Sequence, residues 1–209
     1  MRTMTPRLLA AVLALAGATA FAVPARAEKG AMEIGLAARY AWPQMDLSRL
    51  EPGLDYGVIF HYWLNSTTTV DVGIDSLTHR APLMVDGAEQ DLIFQTYVVE
   101  AGMRYRPKLD FFLQPFAELG VGYQFWSVDL EPGALDDRSG SAMAYYAGLG
   151  LDYPFLGQFS AGIDARYWYL PMQESLEEKV SAIGGDETKT DLRNAGFLAA
   201  GIELTWKFK

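Results

Sequence analysis

The side chains with the greatest chemical potential are charged residues that recur at even spacings, as in Glu100-x-x-x-Arg104 and Asp164-x-Arg166. Residues two or four positions apart point to the same face of a β-strand. Carboxylates and guanidinium groups gathered on one face can form an ion-pair network or line a polar path. The candidate site is therefore a set of charged residues that share such faces: Glu33, Arg39, His61, Asp71, Glu100, Arg104, Glu118, Asp164, Arg166, Glu203 and Lys207. Asp55, Asp75 and Asp152 have the same placement.

Catalytic alternatives depend on very few residues. The two histidines are His61 and His79. Ser76 and Asp86 near His79 would complete a nucleophile, a base and an orienting acid, which a catalytic site needs within hydrogen-bonding reach. A loop histidine beside a serine occurs more often by chance. Metal-ligand spacings and the EF-hand pattern are missing from the sequence. We predict no catalytic, cofactor-binding or metal-binding residues.

The elements that position the charged face are predicted strands. Apolar residues recur with a period of two, which is typical of strands rather than helices. Eight segments follow this pattern, at about residues 31–42, 54–64, 68–78, 91–106, 111–126, 141–153, 159–170 and 192–208. Most meet or exceed the roughly 9–11 residues that a tilted strand needs to cross a bilayer. The face opposite the charges carries no acidic or basic residue.

Aromatic residues on the apolar face stand at the two ends of each row, with small aliphatic residues between them. One end holds Tyr40, Trp42, Tyr56, Tyr123, Phe125, Tyr145, Tyr167 and Tyr169, and the other holds Tyr62, Tyr105, Phe111, Tyr153, Phe159, Trp206 and Phe208. A soluble sandwich would scatter aromatics through its core. Two aromatic belts around an aliphatic band are what the two interfaces of a bilayer select. The pattern therefore favours a membrane barrel with its charges inside.

The connections between the segments alternate strictly in length. Residues 65–67, 107–110 and 154–158 form short turns, whereas residues 43–53, 77–90, 127–140 and 171–191 form long polar loops. Short turns on one side and long loops on the other are typical of bacterial barrels. The sequence thus predicts an all-β fold, an eight-stranded antiparallel up-and-down transmembrane barrel.

Residues 1–27 have the features of a cleaved secretory signal peptide. Arg2 and Arg7 precede an apolar stretch of about 15 residues, too short to span a bilayer, and Ala25-Arg26-Ala27 is a small-x-small cleavage site. We expect the mature barrel to comprise residues 28–209. Loss of three arginines leaves 14 basic residues against 26 acidic ones, a formal charge of −12. This charge argues against nucleic acid as a partner, because its phosphates would be repelled. The absence of cysteine means that no disulfide supports the fold.

With these residues in view, the chain resembles the small outer-membrane barrels of the OmpA, OmpX and OmpW type. The stretches that carry the resemblance are 115–123 (PFAELGVGY), 148–153 (GLGLDY) and 164–169 (DARYWY). It implies insertion into the outer membrane by the barrel assembly machinery, which reads an aromatic chain end, although Lys209 follows Phe208 here. Some barrels of this size modify lipid A with a Ser, a His and an acid, the only precedent for Ser76 and His79.

The interior of an eight-stranded barrel is only wide enough for its own side chains, so interior charges must pair. The short turns predict that His61 opposes Asp71 and that Glu100 opposes Glu118. Glu33 and Lys207 should lie at the periplasmic rim. We expect a structural salt-bridge network in a monomeric structural or surface-interaction protein. A narrow channel is the alternative, with room left by lumen glycines: Gly35, Gly57, Gly73, Gly120, Gly122, Gly148 and Gly150.

Inward-pointing aromatics argue against the channel, namely Trp63, Phe116, Trp126, Tyr146 and Trp168. The long loops are acidic; residues 171–191 hold Glu174, Glu177, Glu178, Asp186, Glu187 and Asp191 against Lys179 and Lys189. Such loops are either simply solvated, or bound through divalent cations to lipopolysaccharide phosphates, or bound to a basic protein partner. Outer-membrane lipids and lipopolysaccharide are the expected partners.

Overall fold

A computed structural model describes residues 29–45, 47–48, 50–85, 88–130, 138–171 and 194–208. The predicted signal peptide, Asp86 and the acidic residues of the loop at 172–193 lie outside these residues. Within the described part of the chain, no helix has the length and hydropathy needed to cross a membrane.

Eight antiparallel strands close into one barrel, each paired with its neighbour in sequence and the last with the first. The strands are β1 (Met32–Met45), β2 (Gly53–Trp63), β3 (Thr68–Val85), β4 (Ala88–Tyr105), β5 (Gln114–Leu130), β6 (Arg138–Phe155), β7 (Phe159–Pro171) and β8 (Asn194–Phe208). Closure pairs Met32 with Phe208 and Met45 with Ala195. The predicted fold class is confirmed. The predicted strands agree closely with these bounds except at the long-loop ends and at the start of β5.

The outward face of the barrel is apolar and exposed, and the inward face is buried. In β2, for example, each residue from Asp55 to Trp63 alternates between buried and exposed. Leu119, Leu149 and Ile202 are each more than 60% exposed, which would be costly in water for so many large apolar side chains. Because the buried positions carry the charges, this barrel is inverted relative to a soluble protein, as the sequence pattern predicts.

The predicted loop at residues 77–90 is wrong over most of its length. β3 continues to Val85 and β4 begins at Ala88, with ladder pairs throughout, including Thr78 with Gln95 and Val85 with Ala88. This hairpin extends beyond the apolar band. Its sequence alternates poorly there because neither face is required to be apolar, so the period-two signal disappears while the backbone pairing continues.

The predicted four-residue turn at 107–110 is also wrong, because the β4–β5 connection runs from 106 to 113. Pairing resumes at Tyr105 with Ala117. Phe111 and Phe112 lie in the connection with their ring centroids 4.4 Å apart, and both rings are more than half exposed. Because these residues are apolar, the pattern predicts that a strand starts here. The rings belong instead to the aromatic belt at the short-turn end.

Candidate functional site

Eleven charged side chains inside the barrel form one connected set of ion pairs, here called the lumen network. Seven of the eight strands supply its members, which are Arg39, Asp55, His61, Asp71, Asp75, Glu100, Arg104, Glu118, Asp164, Arg166 and Glu203. All are at most 5% exposed. Every member is inward because the strands keep their alternation without interruption along the paired segments.

Arg166 of β7 lies at the centre of the network. Its Nε donates to Glu118 Oε1, and its Nη1 donates to both carboxylate oxygens of Glu100 at 3.0 and 2.9 Å. Nη1 also reaches Asp75 Oδ2 at 3.4 Å. The guanidinium carbon stands 4.9 Å from the centroid of the Tyr146 ring. This one cation therefore joins carboxylates from three different strands.

Arg104 and His61 hold the part of the network that is nearer the short-turn end of the barrel. The Nη1 and Nη2 atoms of Arg104 form a bidentate pair with Glu203 at 3.2 and 2.9 Å, and its Nε donates to Glu118 Oε2 at 3.1 Å. His61 lies between Asp71, at 2.8 Å from Nδ1, and Glu203, at 3.1 Å from Nε2. The predicted opposition of His61 and Asp71 is confirmed by their ladder pairing.

Arg39 of β1 holds the part of the network that is nearer the long-loop end of the barrel. Its Nε donates to Asp164 Oδ2 at 2.6 Å, and its Nη1 reaches Asp55 and Asp75 at 3.4 and 3.3 Å. Asp55 and Asp75, which the candidate set lacked, are therefore full members. Both were visible as inward charges in the sequence, but neither lies next to a cation on its own strand.

The predicted pairing of Glu100 with Glu118 is wrong. Glu118 is paired with Arg104, and Glu100 is paired with Gly122. The error of four residues follows from the longer β4–β5 connection described above. The true register relieves the expected conflict of two facing acids, because Arg104 and Arg166 both bind Glu118 while Arg166 binds Glu100.

Glu33 and Lys207 belong to the candidate set but lie away from the lumen network. They are paired across β1 and β8 at the short-turn end, as predicted. Arg106 and Asp152, neither of which was in the candidate set, form a separate ion pair at the same end, with Nε and Oδ2 2.7 Å apart. Arg106 is on the inward face of β4, two residues beyond Arg104, so its position was readable from the alternation.

A cluster of apolar side chains, here called the apolar plug, fills the barrel between the lumen network and the long-loop end. Its members are Ala41, Leu47, Leu77, Phe94, Val98, Trp126, Ala144, Tyr146, Trp168, Leu170, Ala195, Phe197 and Ala199. Tyr146 and Trp168 contact at 4.7 Å between ring centroids. The loop residue Leu47 is 5% exposed and completes the plug from above. The alternation predicts that the aromatic members point inward, but not that they join into one layer.

The space beside the lumen glycines is occupied. A Cβ atom at Gly120 would overlap the Tyr146 ring, and one at Gly150 would overlap the Phe116 ring. The other glycines named above each face one nearby side chain: Gly35 faces Glu203, Gly57 faces Asp75, Gly73 faces Glu100, Gly122 faces Val98 and Gly148 faces Glu118. These glycines thus make room for lumen side chains: Phe116 at Gly150, and members of the network or the plug at the others.

The candidate catalytic residues are separated by the barrel wall. His79 is inward and fully buried; it stacks on Phe197 at 4.9 Å between ring centroids, and its Nδ1 lies 3.1 Å from the Glu51 carbonyl oxygen. Ser76 is three residues away in an unbroken strand and therefore lies on the outward face. Within the described residues, no group of His, Cys, Asp and Glu side chains is arranged to hold a metal ion.

Comparison with known families shows which family the chain belongs to. The profile of the outer membrane protein beta-barrel domain matches residues 8–207. The chain belongs to this family. It is a small integral protein of the outer membrane. In bacterial barrels of this kind the short turns usually face the periplasm.

Solved structures agree on the fold at low sequence identity. The barrel is similar to Neisserial surface protein A (14% identity, TM-score 0.64, covering 85% of this chain and 97% of that one). It is also similar to OprG from Pseudomonas aeruginosa (13%, 0.55, 87% and 97%) and to Ail of Yersinia pestis in complex with the heparin analogue sucrose octasulfate (18%, 0.51, 85% and 99%). A search of curated proteins found no match.

The unequal sharing of cations within the lumen network gives a first prediction. Seven carboxyl groups share three guanidinium groups and one imidazole. Glu118 is bound by two arginines, whereas Asp55 has one contact of 3.4 Å to Arg39, which also binds Asp75 and Asp164. Glu118→Gln should destabilise the barrel by about 1.5–3 kcal/mol, the value of hydrogen bonds between charged groups. Asp55→Asn should change the free energy of unfolding by less than about 0.5 kcal/mol, because it lowers the acid surplus.

Urea unfolding of both variants in the same detergent, followed by the gel shift between folded and unfolded forms, measures the difference. Equal losses in the two variants would show that the number of arginine contacts does not determine the contribution of each acid.

Proposed function

We propose that this protein is a non-conducting outer-membrane barrel with a structural or surface-interaction role. The observation that carries the proposal is the apolar plug, which lies across the lumen on the external side of the lumen network. Ions would have to pass both a layer of packed aromatic rings and an array of paired charges. A channel requires a wet, continuous path, so these two layers favour a closed barrel over the channel alternative.

An enzymatic role has less support. The opposed faces of Ser76 and His79 remove the one triad that the sequence suggested. Membership in the barrel family and the absence of a converging nucleophile and base among the described residues both favour a non-enzymatic protein.

We further propose the partners. Outer-membrane lipids contact the exposed apolar band, and the acidic external loops bind lipopolysaccharide phosphates through divalent cations, since a carboxylate and a phosphate repel each other without one. The barrel assembly machinery inserts the chain after export by the signal peptide at residues 1–27, and the barrel is a monomer in the membrane.

Conductance across a planar bilayer tests the closed barrel. The wild-type protein should produce no stable unitary steps, because the plug and the network fill the lumen. The informative variants are Trp168→Ala, in the plug, and Trp42→Ala, the same substitution on the outward face. Wild-type steps that change in Trp168→Ala but persist unchanged in Trp42→Ala would establish a lumen path and overturn the proposal.

A further inference from the structure

A cavity of about 490 Å³ occupies the periplasmic end of the barrel, beneath the lumen network. We call it the inner vestibule. Its walls include Glu33, Trp63, Arg106, Asp152, Thr205 and Lys207, and the β4–β5 connection adds Lys108 and Asp110. The volume lies within the range of small-molecule sites, about 300–1,000 Å³.

Arg106 is held rigidly in the wall of the inner vestibule. It is 5% exposed, and its Nε donates to Asp152 Oδ2 at 2.7 Å. Its guanidinium carbon stands 4.9 Å from the ring centroid of Trp63 and 5.8 Å from that of Phe116. A guanidinium group fixed by one carboxylate and by two aromatic rings presents its remaining N–H groups in a defined direction.

Two hydrogen-bond donors in this wall have no acceptor among the described residues. They are Nη1 of Arg106 and Nε1 of Trp63, and both side chains are 5% exposed. A buried donor without a partner costs about 1–3 kcal/mol, and more when it is charged. Both side chains line the inner vestibule, so an acceptor that enters the cavity and reaches them would supply the missing partner.

The charges around the inner vestibule indicate the chemistry of that acceptor. Asp152 is bound to Arg106, and Glu33 stands opposite Lys207 in the β1–β8 ladder. Asp152 is thus matched by a bound cation, whereas the two buried groups without a partner are donors, and Lys108 and Asp110 both stand at the rim. We propose that the inner vestibule binds an oxyanion, the carboxylate or phosphate group of a small periplasmic molecule, through Arg106 and Trp63.

This site is independent of the closed lumen, since it lies on the other side of the lumen network from the apolar plug. A closed barrel can contain this site, and so can a conducting barrel.

Indole and guanidinium N–H resonances of the ¹⁵N-labelled barrel, in an uncharged maltoside detergent, provide the test. The probes are inorganic phosphate and acetate, with chloride at equal ionic strength as reference. The Trp63 indole signal, assigned with Trp63→Phe, should shift saturably with at least one oxyanion and not with chloride. The indole signals of Trp126 and Trp168 should stay in place. Acetate and phosphate titrations distinguish a carboxylate from a phosphate ligand.

Arg106→Gln should weaken the apparent affinity at least about tenfold, as expected for the loss of a charge-assisted hydrogen bond. Arg80→Gln, an exposed arginine on the external part of β3, is the matched control and should leave the titration unchanged. If Arg106→Gln does not fold, Lys108→Gln in the exposed connection takes its place and should weaken binding by a smaller factor. Absence of a saturable Trp63 shift with both oxyanions, or an equal shift with chloride, would overturn the proposal.

Discussion

Replacing Arg166 by methionine should destabilise the barrel by about 3–5 kcal/mol, the cost of removing one partner from a buried ion pair. Arg166 binds Glu100 and Glu118 and contacts Asp75, and all three carboxylates are buried at 3% exposure or less. Without the guanidinium group, Glu100 keeps no ion-pair partner in the lumen network. Methionine fills similar space beside Tyr146, so the loss reports charge rather than volume.

The free energy of unfolding in urea, measured in detergent or lipid vesicles, checks this expectation. Arg80→Met is the control, because it removes the same charge from an exposed position and should cost less than about 0.5 kcal/mol. A second variant, Arg166→Met combined with Glu100→Gln, should recover part of the loss by removing the stranded acid. A cost for Arg166→Met no greater than that for Arg80→Met would mean that the lumen network contributes no net stability.

Leu149→Arg should destabilise the barrel in a bilayer by about 2–4 kcal/mol, the cost of an arginine on the lipid face near the midplane. Leu149 is 67% exposed and lies opposite Ala117 and Ala165 in its two ladders, near the middle of β6. In a water-soluble protein such an exposed leucine would accept arginine readily. The loss therefore depends on hydrocarbon surrounding this position.

Leu156→Arg is the matched control for this prediction. Leu156 is 79% exposed in the β6–β7 turn, beyond the apolar band, and arginine at the membrane interface costs only about 0–1 kcal/mol. Both variants exchange the same residues at exposed positions, so only depth in the bilayer differs. Vesicle unfolding free energies that fall equally in the two variants would contradict the assignment of Leu149 to the lipid-facing band.

Much of this fold was readable from the sequence because a membrane barrel makes two strict demands. Its lipid face excludes charge, and its strands alternate without interruption, so the strand count, the inward charges and the pairing of His61 with Asp71 followed directly. The Glu100–Glu118 pairing failed because Phe111 and Leu113 satisfy the alternation while lying in a connection. Interfacial aromatics have no need to be in a strand, so the pattern does not mark where pairing starts.

The apolar plug could not be predicted as a layer. Inward positions such as Trp126, Tyr146 and Trp168 are separately visible, but their height in the barrel depends on the stagger between strands. That stagger depends on where each connection begins and ends. The sequences of the long loops do not mark these points. The membership of Asp55 and Asp75 in the lumen network was missed for the same reason, since their common partner Arg39 lies on another strand.

The lumen network also constrains the order in which the barrel can form. His61 of β2 binds Glu203 of β8, 142 residues later, and Arg39 of β1 binds Asp164 of β7, 125 residues later. A partly assembled sheet that lacks β7 and β8 would hold Arg39 and His61 without these partners, in surroundings that penalise unpaired charge. Hairpins can pair early, but closing contacts of such long sequence separation are slow to form. The charges thus make folding more cooperative. Intermediates with a dehydrated lumen are disfavoured until β8 joins β1, so folding approaches an all-or-none step.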